Sequence, residues 1–561
     1  MIILGINGNR REHNSAAAVL IDGKLVASVE EERMSRIKCD NAYPSGAIAE
    51  VLAIAGVRAE DVDVVALANL SRWDQKPALD RLFKRVAQLA KQEPELKKFY
   101  WKRQFERYVR VLRPRRKPDG VLGDLPMQTV EHHQAHAASA YYASPFGDER
   151  VGVITLDGAG DFSWGSVWVG EHGKLQEVLH LPYLNSIGLL YSSVTEYLGF
   201  IGGRHEGKVL GLAAFGNPEP FLSRLLEHSD GSDWNALFDA KLARVTLRSG
   251  GEVLKSLCDG LSREDVAAGV QAYTEKMICA WVQEQVSSLK VGKLVLAGGV
   301  FSNVKLNQRI LALPGVENIY IHPNMGDGGL AAGAAFEVHA RLHGGLRPEL
   351  APVYLGTEIN RDNALRALQK LGVTYEEPEN LAQTVGRLLA DGKVVARADG
   401  GMEYGPRALG NRTVMAPCHD ASINQWLNKK FARTEFMPFA PVILQENAAE
   451  YFPDWNDSHI AARFMTLTYD VSELARQHIP AAVHVDHTAR PQVIRREDNP
   501  GYYDILREYH AITGVPSVIN TSFNMHEEPI VRTAEEAILA YQAAGLDALV
   551  LGPFLCRAQA A

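Results

Sequence analysis

The run GGMEYGPRALGNR at 400–412 gathers two arginines, a carboxylate and four glycines on turn-prone backbone. Glycines let backbone N–H groups approach the oxygens of a small anion and reach positive φ. Arginine adds a rigid fork of donors that matches phosphate or carboxylate oxygens in pairs. A surface turn with solvated charges has the same composition, so the neighbouring loops decide. Downstream, Asp486-His487-Thr488-Ala489-Arg490-Pro491-Gln492 brings a third arginine, and Asn520-Thr521-Ser522-Phe523-Asn524 follows the strand-like 516–519. Polar side chains placed where a β-branched run ends bond a turn or face a ligand beyond the strand.

A second constellation lies in the other half of the chain. Glu131-His132-His133-Gln134-Ala135-His136 opens a helical pattern, and His132 and His136, at i and i+4, share one face with Cβ atoms about 5–6 Å apart. That spacing can clamp one metal ion. Asp157 ends an apolar strand ahead of Gly158 and Gly160, and Asp327 lies in Gly326-Asp327-Gly328-Gly329 before another helix. Mixed imidazole and carboxylate ligands suit iron, manganese or zinc, although such aspartates also serve as helix N-caps or Mg–ATP contacts.

The three C-terminal loops resemble the GPRALG-, GTARxQ- and NTSFN-type segments of carbamoyltransferases of the NodU/CmcH/TobZ family. The helix carrying His132 and His136 is similar to the metal-binding HxxxH helix of that family's N-terminal domain, which itself resembles the tRNA threonylcarbamoyladenosine transferase. The resemblance implies His132, His136, Asp157 and Asp327 as ligands of Fe(II), or of Mn or Zn. It implies nucleotide or carbamoyl-adenylate contacts at Gly298, Gly299 and Asn303 of the GGVFSN turn and at Glu206 and Lys208 of the EGKVLGLA run. In the C-terminal half it implies carbamoyl phosphate and Mg–ATP held by Arg407, Arg412, Lys429 or Lys430, Arg433, Arg490, Asn520 and Ser522, with Arg407 and Arg490 catalytic. The segments around His13 and Lys38 resemble HDxSA and EERxxRxK, which nominates His13 as general base and Lys38 as a donor contact. Asn14 stands where relatives carry aspartate, and Met437 where many carry arginine before PFAP.

These residues need elements to carry them. Strand-like segments at 2–6, 16–21 and 25–29 recur at 151–156, 163–169 and 175–179, joined by similar turns. A repeat of about 150 residues points to two like lobes flanking a cleft, the layout of the actin, Hsp70 and sugar-kinase fold (ASKHA). Periodicity breaks near Leu342–Thr357, so an α/β domain with the transfer chemistry is expected over 1–350, and a YrdC-like α/β domain, forming carbamoyl adenylate, over 358–561. Between the lobes, 80–117 is basic and aromatic; it reads as amphipathic helices that shape an acceptor pocket.

The 561 residues exceed one core. A net charge of −8 gives no field that recruits nucleic acid. The five cysteines are widely spaced and never form CxxC, which argues for reduced thiols and a cytoplasmic protein. No apolar run reaches the roughly 18 residues of a membrane helix. The expected activity is ATP-dependent O-carbamoylation of a small hydroxylated natural product, as in antibiotic biosynthesis. A tRNA-modifying threonylcarbamoyl enzyme and a non-catalytic Hsp70-like interaction protein are the alternatives.

Overall fold

The computed structural model describes residues 1–8, 14–69, 84, 87, 91, 120–182, 186–228, 252–431 and 437–558. The chain forms two compact units, Met1–Glu31 with Asn41–Ala351, and Glu32–Asp40 with Pro352–Ala561. The basic stretch 80–117, apart from three of its residues, lies outside the described residues, as do His13 and Arg433.

The first unit contains two five-stranded sheets of the same plan. Strands β1 (Ile2–Asn7), β2 (Ala16–Ile21), β3 (Lys24–Glu30), β4 (Val64–Ala68) and β5 (Met127–Val130) pair in the order β3-β2-β1-β4-β5. Strands β6 (Val151–Gly160), β7 (Ser163–Glu171), β8 (Lys174–Pro182), β9 (Lys293–Ala297) and β10 (Asn318–Ile321) pair as β8-β7-β6-β9-β10. In each, three strands form an antiparallel meander and two more add in parallel. This duplication is the two-lobed plan of the actin and sugar-kinase type.

Each sheet is closed by the helix that follows the other. Helix His132–Tyr142, which follows β5, packs on β6, β7 and β9, and helix Leu330–His343, which follows β10, packs on β1, β2 and β4. The two helices also pack on each other. Small residues make this exchange possible: a Cβ on Gly333 would stand 1.9 Å from the Ala135 carbonyl oxygen, and one on Gly5 would stand 1.9 Å from that of Ala331. Backbone therefore touches backbone at the crossing, and the N-terminal turns of both helices are fixed relative to the strand ends.

The second unit is built on a seven-stranded mixed sheet. Strands β12 (Val395–Ala398), β14 (Arg412–Ala416), β15 (Ala440–Leu444), β18 (Gln492–Ile494), β19 (Ser517–Ser522), β20 (Ala548–Leu551) and β21 (Phe554–Arg557) pair in the order β18-β15-β19-β14-β12-β20-β21, while β11 (Tyr354–Ile359) pairs with β13 (Gly400–Glu403) and β16 (Tyr469–Asp470) with β17 (Thr488–Ala489). Helices Leu381–Ala390 and Pro500–Thr513 bury Val385, Leu389, Tyr502, Ile505, Leu506 and Tyr509 against Val395, Met415, Val442, Val518 and Val550. Apolar positions at helical spacing meet β-branched strand positions, and removal of this surface from water is the main stabilising term. No helix among the described residues is long and apolar enough to cross a membrane.

Candidate functional sites

In the first unit the exchanged helices bring four side chains together. His132 and His136 project from the first turns of one helix, Asp327 precedes the other, and Asp157 lies in β6, where the register with β7 shifts between Leu156 and Gly160. Such a bulge re-aims a side chain at the end of a strand. One ligand atom from each of the four lies within 4.8 Å of the others. His136 Nε2 stands 3.1 Å from Asp157 Oδ2 and 3.6 Å from Asp327 Oδ1, and His132 Nε2 is 3.6 and 3.7 Å from the same atoms. Both histidines are buried, while the aspartates keep a small exposed edge.

A chain of amides orients His132. The Asn7 side-chain amide donates to the Asp327 carbonyl (2.8 Å) and the Asn14 carbonyl (3.3 Å), and its Oδ1 accepts from Asn69 Nδ2 (3.2 Å). Asn69 Oδ1 then meets His132 Nδ1 at 2.8 Å. Because that oxygen can only accept, the proton of neutral His132 sits on Nδ1, and Nε2 keeps its lone pair toward the aspartates. The Asp161 carboxylate accepts the His132 backbone N–H at 3.0 Å. Gly160 leaves room for the ring, since a Cβ there would stand 2.1 Å from it.

The electrostatics agree with a cation site. Burial opposes charge on His132, but the hydrogen bond to Asp157 and the charges of Asp327 and Asp157 outweigh it and push the pKa up to about 10. Burial likewise opposes charge on Asp157, yet bonds from His132 and His136 hold it well below the usual carboxylate range. His133 differs: burial drives it well below its ordinary value, and its Nδ1 bonds Thr155 Oγ1 at 2.9 Å, which makes it a structural neutral imidazole. Two imidazole nitrogens and two carboxylate oxygens that converge within 4.8 Å are a mixed donor set that fits a transition ion.

In the second unit the loop between β13 and β14 is organised by Glu403. One of its carboxylate oxygens accepts the backbone N–H groups of Leu409, Asn411 and Arg412 at 2.7–2.9 Å. The loop carbonyls are held too. Leu409 accepts from the Tyr354 hydroxyl and Gln492, Ala408 from Asn520, Gly410 from Arg397 (2.6 Å) and Gly405 from Arg33 (3.1 Å). Inside this fixed frame the Arg407 side chain has no hydrogen-bond or ionic partner among the described residues, and its Nε is buried. Burial alone pushes its pKa down to about 10.

Several expected ligands are otherwise engaged. Arg412 is fully buried, and its two Nη atoms donate to the carbonyls of Asp399, Asn411, Thr357, Gly400 and Arg532. Through both Nη atoms it braces the loop, while its buried Nε meets no hydrogen-bond partner among the described residues. Asn520 is likewise committed, donating to Ala408 O and Gln492 Oε1 and accepting from Thr413. Asn303 caps the helix that starts at Val304 and pairs with Gln271. Gly298 (φ +101°) must be glycine, because a Cβ would stand 2.1 Å from the Leu156 carbonyl oxygen; Gly299 lies beside Asp157, its Cβ position 3.0 Å from Oδ1.

Glu206 accepts the Gly203 N–H (2.6 Å), and Lys208 is buried. Arg490 is half-buried between β17 and β18, Ser522 ends β19, and Lys430 donates to the Gly545 carbonyl and lies over the Trp426 ring. Lys38 is exposed. Sequence reading missed Asn7 and Asn69, and gave Arg33, inside the EERxxRxK-like segment, no role of its own. An asparagine closing the apolar strand β4 at φ +73° is the kind of residue that ends strands with a side-chain bond, and that was the available signal for Asn69.

The first unit thus carries a cluster of two imidazoles and two carboxylates, and the second a loop with a guanidinium that meets no partner among the described residues. The chain belongs to the carbamoyltransferase family: the carbamoyltransferase N-terminus matches residues 2–336 and the carbamoyltransferase C-terminus residues 386–558. It is a carbamoyltransferase enzyme. The nodulation protein NolNO of Sinorhizobium fredii is 31% identical over all of this chain and 83% of its own. The uncharacterized protein sll1178 of Synechocystis is 32% identical, over 99% of this chain and 96% of that one. Nodulation protein U of Azorhizobium caulinodans is 25% identical over 92% of each. Among solved structures, full-length HypF in its phosphate- and nucleotide-bound form aligns with a TM-score of 0.31 at 16% identity, over 61% of this chain and 55% of that one.

Proposed function

We propose that the second unit makes carbamoyl adenylate from carbamoyl phosphate and ATP, and that the first unit passes the carbamoyl group to a hydroxyl of a small natural-product acceptor. The observation that carries this reading is Arg407, a guanidinium without a partner among the described residues, on a loop whose carbonyls at Gly405, Ala408, Leu409 and Gly410 are all held. A half-buried cation without a counter-charge is costly to hold, and a phosphate or carbamate anion supplies the missing partner with charge-assisted bonds. Carbamoyl phosphate and water give carbamate and phosphate. A carbamate oxygen then attacks the α-phosphorus of Mg–ATP and pyrophosphate departs. Arg407, aided by Arg490 and Arg433, neutralises the charge that develops.

In the first unit, His132, His136, Asp157 and Asp327 would hold an iron, manganese or zinc ion, which when bound polarises a carbonyl oxygen as a Lewis acid. The Gly298-Gly299 turn abuts Asp157, so a nucleotide seated on it lies beside the cluster. The acceptor hydroxyl adds to the carbamoyl carbon, its proton is taken up by a base, for which the sequence nominates His13, and AMP departs. The test is to incubate the protein with carbamoyl phosphate, Mg–ATP and small-molecule extracts. The expected result is pyrophosphate release that requires carbamoyl phosphate, and a product heavier by one carbamoyl group in the mass spectrum. Pyrophosphate release that ignores carbamoyl phosphate would sink the reading.

A further inference from the structure

The second unit includes a segment from far upstream in the chain, Glu32–Asp40. It is held there by Arg36, which donates to the carbonyls of Ile530 (2.8 Å) and Pro529 (2.7 Å) and pairs with Glu536 at 3.3 Å. Arg33 is 4% exposed. Its Nη1 pairs with Glu32 Oε1 at 3.0 Å, and Glu32 Oε2 accepts the Cys39 N–H at 2.7 Å, so the guanidinium is aimed by a buried carboxylate that is itself tied down. Its Nη2 donates to the Gly405 carbonyl.

We propose that Arg33 is a positioning residue for the oxyanion site at Arg407, acting through Gly405 and never touching the anion. Past Arg407, the carbonyls of Ala408, Leu409 and Gly410 are held by side chains of the second unit's main body. Ahead of it, Arg33 is the side chain that holds Gly405 among the described residues. Gly405 has φ +108°, in a region that glycine reaches freely and leaves as freely. Pro406 fixes its own φ, so one fewer free torsion separates the Gly405 peptide from Arg407. With the carbonyl released, the arginine samples several directions, and the anion meets a site that must be ordered on binding.

This inference rests on the reading of Arg407 as an anion site, and the experiment separates the two. Calorimetric titration with inorganic phosphate and with carbamoyl phosphate is run on the wild type, Arg33→Gln and Arg33→Lys, beside carbamoyl-phosphate-dependent ATP–pyrophosphate exchange. Arg33→Gln is expected to weaken both anions about tenfold and to raise the carbamoyl phosphate KM more than it lowers kcat. Arg33→Lys, which retains one donor for the carbonyl, should recover most of the affinity. A purely structural role would lower the melting temperature without this substrate-selective pattern and without rescue. If Arg33→Gln does not fold, Gly405→Ala, strained at φ +108°, displaces the same peptide while Arg33 is intact and should produce the same tenfold loss. Wild-type anion affinity in a folded Arg33→Gln or Gly405→Ala protein overturns the inference and leaves the proposed function standing. Anion binding that depends on Arg33 without pyrophosphate exchange defeats the proposed function and leaves the inference standing.

Discussion

The His132/Asp157 cluster and the Arg407 loop solve opposite problems by different means. The cluster gathers its groups from two helices and a bulged strand, and its precision comes from packing: backbone contact at Gly333 and Gly5, and the room that Gly160 leaves for a ring. The loop is one stretch of chain, and its precision comes from hydrogen bonds, above all the three backbone N–H groups gathered by one Glu403 oxygen. A site for a cation can be set by rigid elements because its ligands converge on a point. A site for a small anion needs donors spread over a surface, and satisfied backbone leaves one charge free to reach it. The first site should therefore break when volume is added, the second when a hydrogen bond is removed.

The largest effect is expected from His136→Ala. It should lose the bound metal in elemental analysis and lower carbamoyl transfer by roughly a thousandfold, with pyrophosphate exchange within about twofold of wild type. Arg407→Ala should invert this pattern, losing about a hundredfold or more in exchange while transfer from supplied carbamoyl adenylate persists. Folded variants that both lose both half-reactions would erase the division between the sites. Gly160→Ala, which drives a methyl into the His132 ring, should cost about 10–100-fold in metal affinity, measured by competition with a chelator, and leave exchange unchanged. Asn69→Ala releases the His132 tautomer with no added volume and should cost about tenfold in the same titration; equal losses for the two would blur the claim that packing dominates there. The smallest effect is on pH dependence. Arg407 must be protonated to bind an anion and its pKa lies near 10, so carbamoyl phosphate affinity should fall as pH rises through about 10, where an ordinary arginine keeps its charge beyond pH 12.

What could be read in advance follows the range of the interactions. The repeated meander was legible because period-2 patterns and turn residues are local, and His132 and His136 were legible as a pair because an i, i+4 spacing fixes their common face. Asp157 and Asp327 stood out as carboxylates at strand and helix boundaries. The exchange of helices between sheets was not legible, since it depends on which surface each apolar face finds. Arg412 looked like an anion ligand for the same reason as Arg407: composition cannot tell a guanidinium that meets five carbonyls from one that meets none. Arg33 and Gly405 are 372 positions apart, and no pattern in either segment announces the other.

The origin of Glu32–Asp40 has a consequence in time. The carbonyl partners of Arg36 lie 493 and 494 residues downstream, so on a ribosome adding about 5–20 residues per second the segment waits roughly 25–100 s for them. The Gly405 carbonyl comes sooner, yet still several hundred residues late. The second unit cannot be completed by the portion of chain that emerges last, because one of its braces left the exit tunnel first. A gene cut between the codons for Ala351 and Pro352 therefore yields two products, neither of which is one of the two units.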